Sequence, residues 1–189
     1  HAIVTGAAQG LSRGMAEGLL EAGCKVVMID IQGEKLKEVC REYREKGYDA
    51  HYLIGNVSDR QSIKVLFNEA LDILNGKLDI LVNNAATNPY FGPFIEAPES
   101  AFDKTFEVNV KGYFMMAQRA CRLMVKGGGG SIVNIASIEG ISPSPMMAIY
   151  SMSKAAVIMM TKTIAKEMGG AGIRCNCICP GLTETKFAK

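Results

Sequence analysis

The sequence lacks any block of charge of one sign and any long apolar run. Its 21 Lys and Arg residues are interspersed with 19 Asp and Glu residues, which leaves a formal net charge of +2. This even mixture argues against a nucleic-acid partner or a membrane surface, because both favour a concentrated basic patch. The longest apolar runs are far too short to cross a bilayer, and no signal peptide precedes the first apolar segment. We therefore expect a cytoplasmic protein with no membrane or nucleic-acid partner.

Histidine is also scarce, which bears on the interpretation of the six cysteines. Cys175, Cys177 and Cys179 form a C-x-C-x-C pattern that could belong to a soft metal site. If the segment is a strand, its three thiols lie on one face about 7 Å apart, which is too far for one tetrahedral ion. Without paired histidines or a secretory context, we interpret all six cysteines as reduced thiols packed as small apolar groups, and expect no metal site.

Short apolar segments alternate with longer amphipathic ones along the whole chain. Six segments have the character of buried strands, at 3–5, 25–30, 50–55, 78–84, 131–137 and 173–179. Helical patterns lie between them, at 10–23, 33–46, 59–75, 99–125 and 148–169. This alternation predicts an α/β fold, a doubly wound parallel sheet with helices on both faces. At 189 residues without an internal linker, we expect one domain over residues 1–189.

The segment TGAAQGLSRG, residues 5–14, places a glycine-rich loop between the first strand and the first helix. Without side chains, the backbone N–H groups and the helix N-terminus of such a loop can approach a phosphate. The second strand ends at Asp30, whose carboxylate can accept hydrogen bonds from an adenosine ribose and would repel a 2′-phosphate. Gln9, Ile31 and Gln32 supply no positive charge for such a phosphate. The loop predicts a dinucleotide site that prefers NAD to NADP, unless Asp30 only caps the turn before the next helix.

The residues best suited to chemistry lie in YSMSK, from Tyr150 to Lys154. At the start of a helix, residues i and i+4 share a face, so the phenol and the ammonium are neighbours. An ammonium that stabilises the phenolate lowers the tyrosine pKa towards neutral pH, where the tyrosine can act as a general base. Taken alone, the spacing also fits an ordinary helix N-terminus with an exposed Lys and a half-buried Tyr.

Six separated segments together resemble, in order and spacing, the motifs of the short-chain dehydrogenase/reductase family. They are TGAAQG at 5–10, NNAA at 83–86, Asn109 in FEVNVKG, Ser137 in IVNIAS, YSMSK at 150–154 and PGLTET at 180–185. The resemblance spans nearly the whole chain. It implies a Rossmann fold and an oxidoreductase that transfers hydride between a nicotinamide cofactor and a small secondary alcohol or ketone.

The resemblance also implies roles for individual residues. Asn109, Ser137, Tyr150 and Lys154 match the catalytic tetrad of the family. In that tetrad the serine holds the substrate oxygen, the lysine also binds the nicotinamide ribose, and the asparagine anchors a water of a proton relay. The implied cofactor-binding positions run from the glycine loop to the turn beside the nicotinamide: Gly6, Gln9, Gly10, Leu11, Asp30, Ile31, Asn56, Val57, Asn83, Ala85, Tyr150, Lys154, Pro180, Gly181, Thr183 and Thr185.

Three positions depart from the family pattern. Ser12 stands where the family has a third glycine, Ala86 replaces the glycine of NNAG, and Asn56 replaces a frequent Asp. The Ser12 side chain could crowd the helix against the pyrophosphate or donate to a phosphate oxygen. We expect cofactor binding to survive, weaker by about 1 kcal/mol if the backbone must shift. Because the chain starts at His1 within the first strand and ends at Lys189, we expect the substrate lid and last strand of relatives to be missing.

The motifs do not specify the substrate. NAATNPYFG at 84–92 and SPSP at 142–145 are similar to a branch that includes carbonyl and retinal reductases. Met146 and Met147 could line an adaptable apolar pocket or simply pack a loop. Glu139 could instead contact a polar substrate group. Two alternative functions stay open, an NADP-dependent carbonyl reductase and a redox sensor that binds NAD without turnover.

The last helical pattern bears on assembly. Its segment AAVIMM, residues 155–160, is apolar nearly all round. A helix of this kind needs cover on more than one side, and the resemblance implies that such helices pair across a twofold axis. We therefore expect a homodimer or homotetramer.

Overall fold

A computed structural model describes residues 1–183 and contains a sheet of six parallel strands. The strands are β1 (Ala2–Thr5), β2 (Val26–Asp30), β3 (Ala50–Ile54), β4 (Ile80–Asn83), β5 (Gly130–Ile135) and β6 (Ile173–Ile178). They lie in the order β3-β2-β1-β4-β5-β6, and every neighbouring pair is parallel. The strand order reverses between β1 and β4, where doubly wound sheets bind ligands at the carboxyl ends of their strands. The predicted Rossmann-like α/β fold is confirmed.

The α-helices of the described chain agree with the sequence patterns, with one interruption. They are α1 (Gly10–Glu21), α2 (Gly33–Glu45), α3 (Arg60–Ile73), α4 (Glu99–Phe106), α5 (Tyr113–Gly127) and α6 (Ala148–Met168). The pattern at 99–125 predicts one helix, but a π-helical turn at Glu107–Gly112 separates α4 from α5. Short 3₁₀ turns lie at Phe94–Glu96, Ile138–Gly140 and Gly169–Ala171. Among residues 1–183, no helix combines the length and apolar character needed to cross a membrane.

Both faces of the sheet are covered by apolar packing. All residues of β1 and β2 are buried, as expected for parallel strands between two layers of helices. Alternate residues point to opposite faces. Ile3 and Ile29 pack in a cluster with residues of α3 and α5, whereas Val4 and Met28 pack with residues of α1 and α2. This packing on both faces sets the position of each helix relative to the carboxyl edge of the sheet.

Gly112, the last residue of the π-helical turn, permits a close contact with the loop after β3. A Cβ atom at this position would lie only 2.5 Å from the carbonyl oxygen of the buried residue Val57. Such a contact cannot be relieved by a side-chain movement because the obstructing atom belongs to the backbone. The glycine therefore lets the π-helical turn, which contains Asn109, approach the loop after β3 closely.

The cysteines of the described chain carry no disulfide. Cys40, Cys121 and Cys175 are buried, and Cys24, Cys177 and Cys179 are half-buried. Burial raises the pKa of the Cys175 thiol to about 12, so this group is a neutral thiol at physiological pH. Within residues 1–183, no group of three His, Cys, Asp or Glu side chains is arranged to hold a metal ion.

Candidate functional site

The glycine loop between β1 and α1 lies at the carboxyl edge of the sheet, against the loop after β4. Gly6 has φ +69°, and a Cβ atom on it would lie 2.9 Å from the Cα atom of Ala85. Gly10, the first residue of α1, also has a positive φ of 62°. Glycine adopts both conformations without strain. Gln9 precedes α1 without a side-chain cap, so the first turn of the helix retains the character of an anion site.

The Asp30 carboxylate fastens the glycine loop to the end of β2. Its Oδ2 atom accepts a hydrogen bond of 2.9 Å from the backbone N–H of Ala8, and its Oδ1 atom accepts one of 2.9 Å from that of Gln32. The carboxylate thus caps the turn before α2 and also lies beside the predicted dinucleotide site. Each oxygen has a second lone pair. Asp30 therefore keeps the capacity to accept a hydrogen bond from a ribose hydroxyl.

Lys35 is a cation beside this loop that the sequence analysis missed. It lies in the first turn of α2, and its Nζ atom donates to Oε1 of Gln9. Gln9, Ile31 and Gln32 carry no charge, whereas Lys35 lies further along the chain than these neighbours of Asp30 and of the loop. A basic residue in the first turn of the helix after β2 was the available signal. Leu11 and Ile31, two further predicted cofactor positions, expose their apolar side chains on this surface.

Ser137 and Tyr150 come together between the end of β5 and the start of α6. Ser137 precedes the 3₁₀ turn at Ile138–Gly140, and its Oγ atom accepts a hydrogen bond of 3.2 Å from the backbone N–H of Glu139. A side-chain hydrogen bond joins Ser137 to Tyr150. Each residue is only 8% exposed. The two hydroxyl groups predicted to contact substrate are therefore adjacent and nearly withdrawn from water.

Lys154 lies one helical turn beyond Tyr150 and is 1% exposed. Its Nζ atom donates a hydrogen bond of 2.7 Å to the carbonyl oxygen of Ile135. The same atom lies 5.4 Å from the ring centre of Tyr113 and 5.6 Å from that of Tyr150. Burial lowers the pKa of Lys154 to about 7, against a smaller opposing effect of Cys179. The phenol and the ammonium are neighbours, as predicted. Lys154 is buried, which excludes the alternative of an exposed lysine at the N-terminus of a helix.

The pKa of Tyr150 is shifted in the direction opposite to the expectation from the Tyr-Lys spacing. Burial raises this pKa, the hydrogen bond with Ser137 lowers it in part, and the negative charge of Glu139 raises it further. Lys154 is only partly protonated near neutral pH because of its own burial. In the chain by itself, desolvation thus outweighs the groups that stabilise a phenolate.

Asn109 lies in the π-helical turn and is fully buried. Its Oδ1 atom accepts a hydrogen bond of 2.8 Å from the backbone N–H of Thr87, and its Nδ2 atom donates to the Thr87 carbonyl and to Ser153 Oγ, each at 3.0 Å. Both amide N–H groups are therefore used. The side chain ties the loop after β4 to α6, and the water anchor that the family resemblance implies stays a prediction. π-Helical turns are frequent at functional sites.

At two of the predicted cofactor positions, Asn56 and Asn83, the side chain forms hydrogen bonds with other residues of the chain. The Oδ1 atom of Asn56 accepts hydrogen bonds from the backbone N–H and the hydroxyl of Ser58, at 2.9 and 2.8 Å. This turn suits the Asn that replaces the frequent Asp. Asn83 is buried, and its Nδ2 atom donates to Oδ1 of Asn134 on β5 at 3.0 Å. Asn83 therefore braces the centre of the sheet and does not present its side chain at the surface.

The chain returns from β6 to the Ser137 region through Pro180 and Gly181. The backbone N–H of Ile138 donates a hydrogen bond of 3.0 Å to the Pro180 carbonyl. This contact places the turn predicted to meet the nicotinamide next to the serine predicted to meet substrate. Thr183 is half-buried at the end of the described chain, and Thr185 lies outside the described residues.

Glu139 holds the loop before α6. Its carboxylate accepts hydrogen bonds from the backbone N–H and hydroxyl of Ser144, at 2.8 and 2.6 Å, and from the hydroxyl of Ser151 at 3.0 Å. Burial raises the pKa of Glu139, but these hydrogen bonds outweigh it and leave the pKa below its ordinary value. The carboxylate thus holds Ser144 of its own loop and Ser151 of α6, and a contact of Glu139 with a polar substrate group stays a prediction.

Met146 links this loop to the one after β4. It has φ +68°, which is unusual for a residue other than glycine. Its carbonyl accepts a hydrogen bond of 3.0 Å from the backbone N–H of Gly92. Nearby, Nδ2 of Asn88 lies 3.4 Å from Sδ of Met147. The segment at 84–92 therefore contacts the two methionines that follow SPSP, immediately before α6.

Comparison with known proteins adds the following similarities. The family described as short chain dehydrogenase matches residues 1–189. An uncharacterized oxidoreductase of Thermotoga maritima is 39% identical over 184 residues, covering 97% of this chain and 72% of that protein. The structure of an NAD+-bound xylitol dehydrogenase has a TM-score of 0.91 at 32% identity, covering 95% of this chain and 69% of that one. A gluconate 5-dehydrogenase from Burkholderia cenocepacia, in complex with NADP and tartrate, has a TM-score of 0.92 at 31% identity, covering 100% and 73%.

We expect replacement of Lys154 by Met to remove a pH dependence of stability. The pKa of Lys154 is about 7 in the folded chain against an ordinary value of 10.5, so the unfolded chain binds more protons between these values. Stability therefore rises with pH across this window, and burial of the lysine costs most below pH 7. Between neutral pH and about pH 9, the lysine should add about 2 kcal/mol to the free energy of unfolding.

Urea unfolding of the wild type and Lys154→Met at these two pH values measures the difference. Other titrating groups contribute equally to both proteins and cancel. An equal change of stability in the two proteins would contradict the buried ammonium.

Proposed function

The chain belongs to the short-chain dehydrogenase family, and on this premise we propose that it interconverts a secondary alcohol and a ketone with NAD as its hydride carrier. Members of the family are oxidoreductases of CH–OH groups. The observation that supports the assignment of chemistry to this chain is the cluster of Ser137, Tyr150 and Lys154 at the carboxyl edge of the sheet. It lies on the same edge as the glycine loop, so one extended ligand can reach both.

The residues of the glycine loop fit a dinucleotide. Gly6 and Gly10 leave no side chain between the backbone and a pyrophosphate, and the first turn of α1 has no side-chain cap to compete for its N–H groups. Asp30 retains lone pairs for a ribose hydroxyl. NAD+ held there would supply the hydride acceptor, a nicotinamide ring whose positive charge is neutralised by the hydride of the carbinol carbon.

In the direction of oxidation, the chain contributes proton transfer and charge stabilisation. The Ser137 hydroxyl holds the substrate oxygen and stabilises its developing negative charge. In its phenolate form, Tyr150 takes the hydroxyl proton as a general base. Because burial raises its pKa in the chain by itself, Tyr150 functions as a base only when further positive charge lies close to it.

Lys154 is suited to a second proton-handling role. A group with a pKa of about 7 gains and loses protons readily at neutral pH. We propose that protonated Lys154 stabilises the Tyr150 phenolate, and that neutral Lys154 takes up the proton Tyr150 has received from substrate and releases it to water. Asn109 contributes by position, since its amide holds the loop after β4 against Ser153 of α6.

The preference for NAD depends on two opposite charges beside the glycine loop. The Asp30 carboxylate would repel a 2′-phosphate, whereas the Lys35 ammonium would attract one. We propose that Asp30 dominates, because Lys35 is engaged with Gln9 and Asp30 lies directly at the end of β2. Relatives of known structure do not decide between the cofactors, since one contains NAD+ and another contains NADP. An NADP-dependent carbonyl reductase is the alternative.

The loops beside Tyr150 favour a substrate with an apolar body. Phe91, Ile141 and Met146 expose their side chains on the two joined loops. Exposed apolar side chains grouped around a polar site are typical of small-molecule pockets. We propose a small alcohol or ketone with an apolar substituent. The cytoplasmic location stays a prediction from the sequence.

We also propose a homodimer or homotetramer. Met152, Ala155 and Met159 are exposed at spacings that place them along one side of α6, and Met159 is 61% exposed. Light scattering at micromolar concentration should show a dimer or tetramer for the wild type. Met159→Glu should shift the population towards monomer, because it would bury a charge in the apolar contact. A monomeric wild type would contradict the proposal.

We expect NAD to bind about tenfold more tightly than NADP, a difference of about 1.4 kcal/mol. Titration of both cofactors into the protein measures the ratio. Lys35→Gln should weaken NADP binding more than NAD binding. Lys37→Gln is the matched control, because Lys37 lies on the same helix but is exposed and paired with Glu34. Equal affinities in the wild type, or a preference for NADP, would refute the assignment.

Replacement of Tyr150 by Phe should separate catalysis from binding. The variant loses one hydroxyl, so NAD affinity should remain close to that of the wild type while turnover falls by a factor of about 10² to 10⁴. Lys154→Met should weaken NAD binding as well as slow the reaction. The measurements are NAD titration and NADH formation with a panel of secondary alcohols.

Tyr113→Phe is the control for loss of a buried hydroxyl. The Tyr113 hydroxyl donates to the same Ile135 carbonyl as Lys154, at 3.2 Å, but has no proposed contact with substrate. This variant should retain turnover. Near wild-type turnover in Tyr150→Phe would show that the site has been misread, and NAD binding without turnover of any alcohol in the wild type would favour the redox sensor.

A further inference from the structure

Ser12 occupies a position where the family has glycine, yet its side chain does not face the cofactor surface. The residue is 0% exposed and lies in the first turn of α1. From the sequence, the side chain is expected either to crowd the pyrophosphate or to donate to a phosphate oxygen. A fully buried side chain fits neither expectation. The hydroxyl instead points into the body of the chain.

The Ser12 hydroxyl connects two loops. It donates to the carbonyl oxygen of Gly6, with the Gln9 carbonyl at 3.2 Å as a second acceptor, and it accepts a hydrogen bond of 2.9 Å from Nδ2 of Asn84. A serine hydroxyl has a single proton. That proton is directed to backbone carbonyls, and the hydroxyl oxygen accepts a hydrogen bond from Asn84. The hydroxyl therefore has no proton left to donate to a phosphate.

These hydrogen bonds fix the conformation on which the predicted phosphate contacts depend. The peptide group is planar, so holding the Gly6 carbonyl fixes the orientation of the whole Gly6–Ala7 peptide. The Gly6 backbone has a positive φ and lies against Ala85. Thr5 provides a second link, since its Oγ1 atom accepts hydrogen bonds from the backbone N–H groups of Asn84 and Ala85, at 3.0 and 3.3 Å. The glycine loop and the loop after β4 are thus joined on both sides of Gly6.

We propose that Ser12 is a positioning residue of the cofactor site, which preorganises the glycine loop for NAD by joining Gly6 to Asn84. The inference rests on the proposed function of this loop. A loop held in its bound conformation before the ligand arrives loses less conformational freedom on binding, and affinity increases accordingly. This chain therefore uses a buried hydroxyl at a position where its family uses glycine.

The test is NAD affinity, by calorimetric titration, in the wild type, Ser12→Gly, Ser12→Ala, Asn84→Ala and the double variant Ser12→Ala/Asn84→Ala. Ser12→Gly restores the family pattern and should nevertheless weaken NAD binding about tenfold, since two partly buried groups, the Gly6 carbonyl and Asn84 Nδ2, lose their partner. Ser12→Ala should weaken it similarly. In the double variant the losses should be less than additive, because both substitutions remove the same hydrogen bond.

Thr105→Val is the control for loss of a buried hydroxyl elsewhere. Thr105 is fully buried in α4, and its hydroxyl donates to the Ala101 carbonyl at 2.7 Å. Its replacement should reduce stability and leave NAD affinity unchanged. Where a substrate is available, Ser12→Gly should raise the KM for NAD much more than it lowers kcat at saturating NAD.

The outcomes separate this inference from the proposed function. If the wild type binds no NAD, the proposed cofactor site is wrong and the inference is wrong with it. If the wild type binds NAD and Ser12→Gly binds it equally or more tightly, the cofactor site stands and the positioning role of Ser12 is refuted. Fully additive losses for Ser12→Ala and Asn84→Ala would refute the proposed link between the two loops.

Discussion

The burial of the Lys154 ammonium is the constraint on which the rest of the site depends. A charge withdrawn from water needs compensation, and here it comes from the Ile135 carbonyl and from the ring faces of Tyr113 and Tyr150. These groups belong to β5, α5 and α6. They meet only because the parallel sheet places the end of β5 beside the starts of both helices. The same burial leaves the lysine with a pKa of about 7, so it reduces stability wherever the amine is protonated.

Backbone hydrogen bonds hold the strands of the sheet together, whereas side-chain hydrogen bonds hold the loops at its carboxyl edge together. Thr5 and Ser12 join the glycine loop to the segment after β4, Asn109 joins that segment to α6, and Glu139 joins the turn after β5 to α6. Thr5, Ser12 and Asn109 have short side chains with few rotatable bonds, which lose little freedom when they are fixed. The carboxyl edge of the sheet thus holds several irregular loops in one relative arrangement.

The sequence was sufficient to predict the regular elements, because their apolar periodicity follows directly from the layers that cover them. It was insufficient where the outcome depends on distant neighbours. Ser12 could not be understood without Asn84, and Lys35 could not be connected to Gln9 before the end of β2 was placed beside the glycine loop. The spacing of Tyr150 and Lys154 correctly predicted their proximity but not the direction of the Tyr150 pKa shift, which depends on burial. The π-helical turn at Glu107–Gly112 leaves no mark in composition, since it differs from an α-helix only in how its hydrogen bonds are formed.

The π-helical turn also determines how the buried face of α4 is rotated about the helix axis relative to that of α5. A residue advances an α-helix by roughly 100° about its axis, and a π-helical turn accommodates one residue more than an α-helical turn does. Ala101 and Thr105 are buried on α4, which packs on α6, while α5 turns its buried residues towards the sheet. Shortening the turn by one residue would swing one of these faces away from its partner by roughly a quarter of a revolution. The π-helical turn therefore allows one continuous helical segment to pack on α6 through α4 and on the sheet through α5.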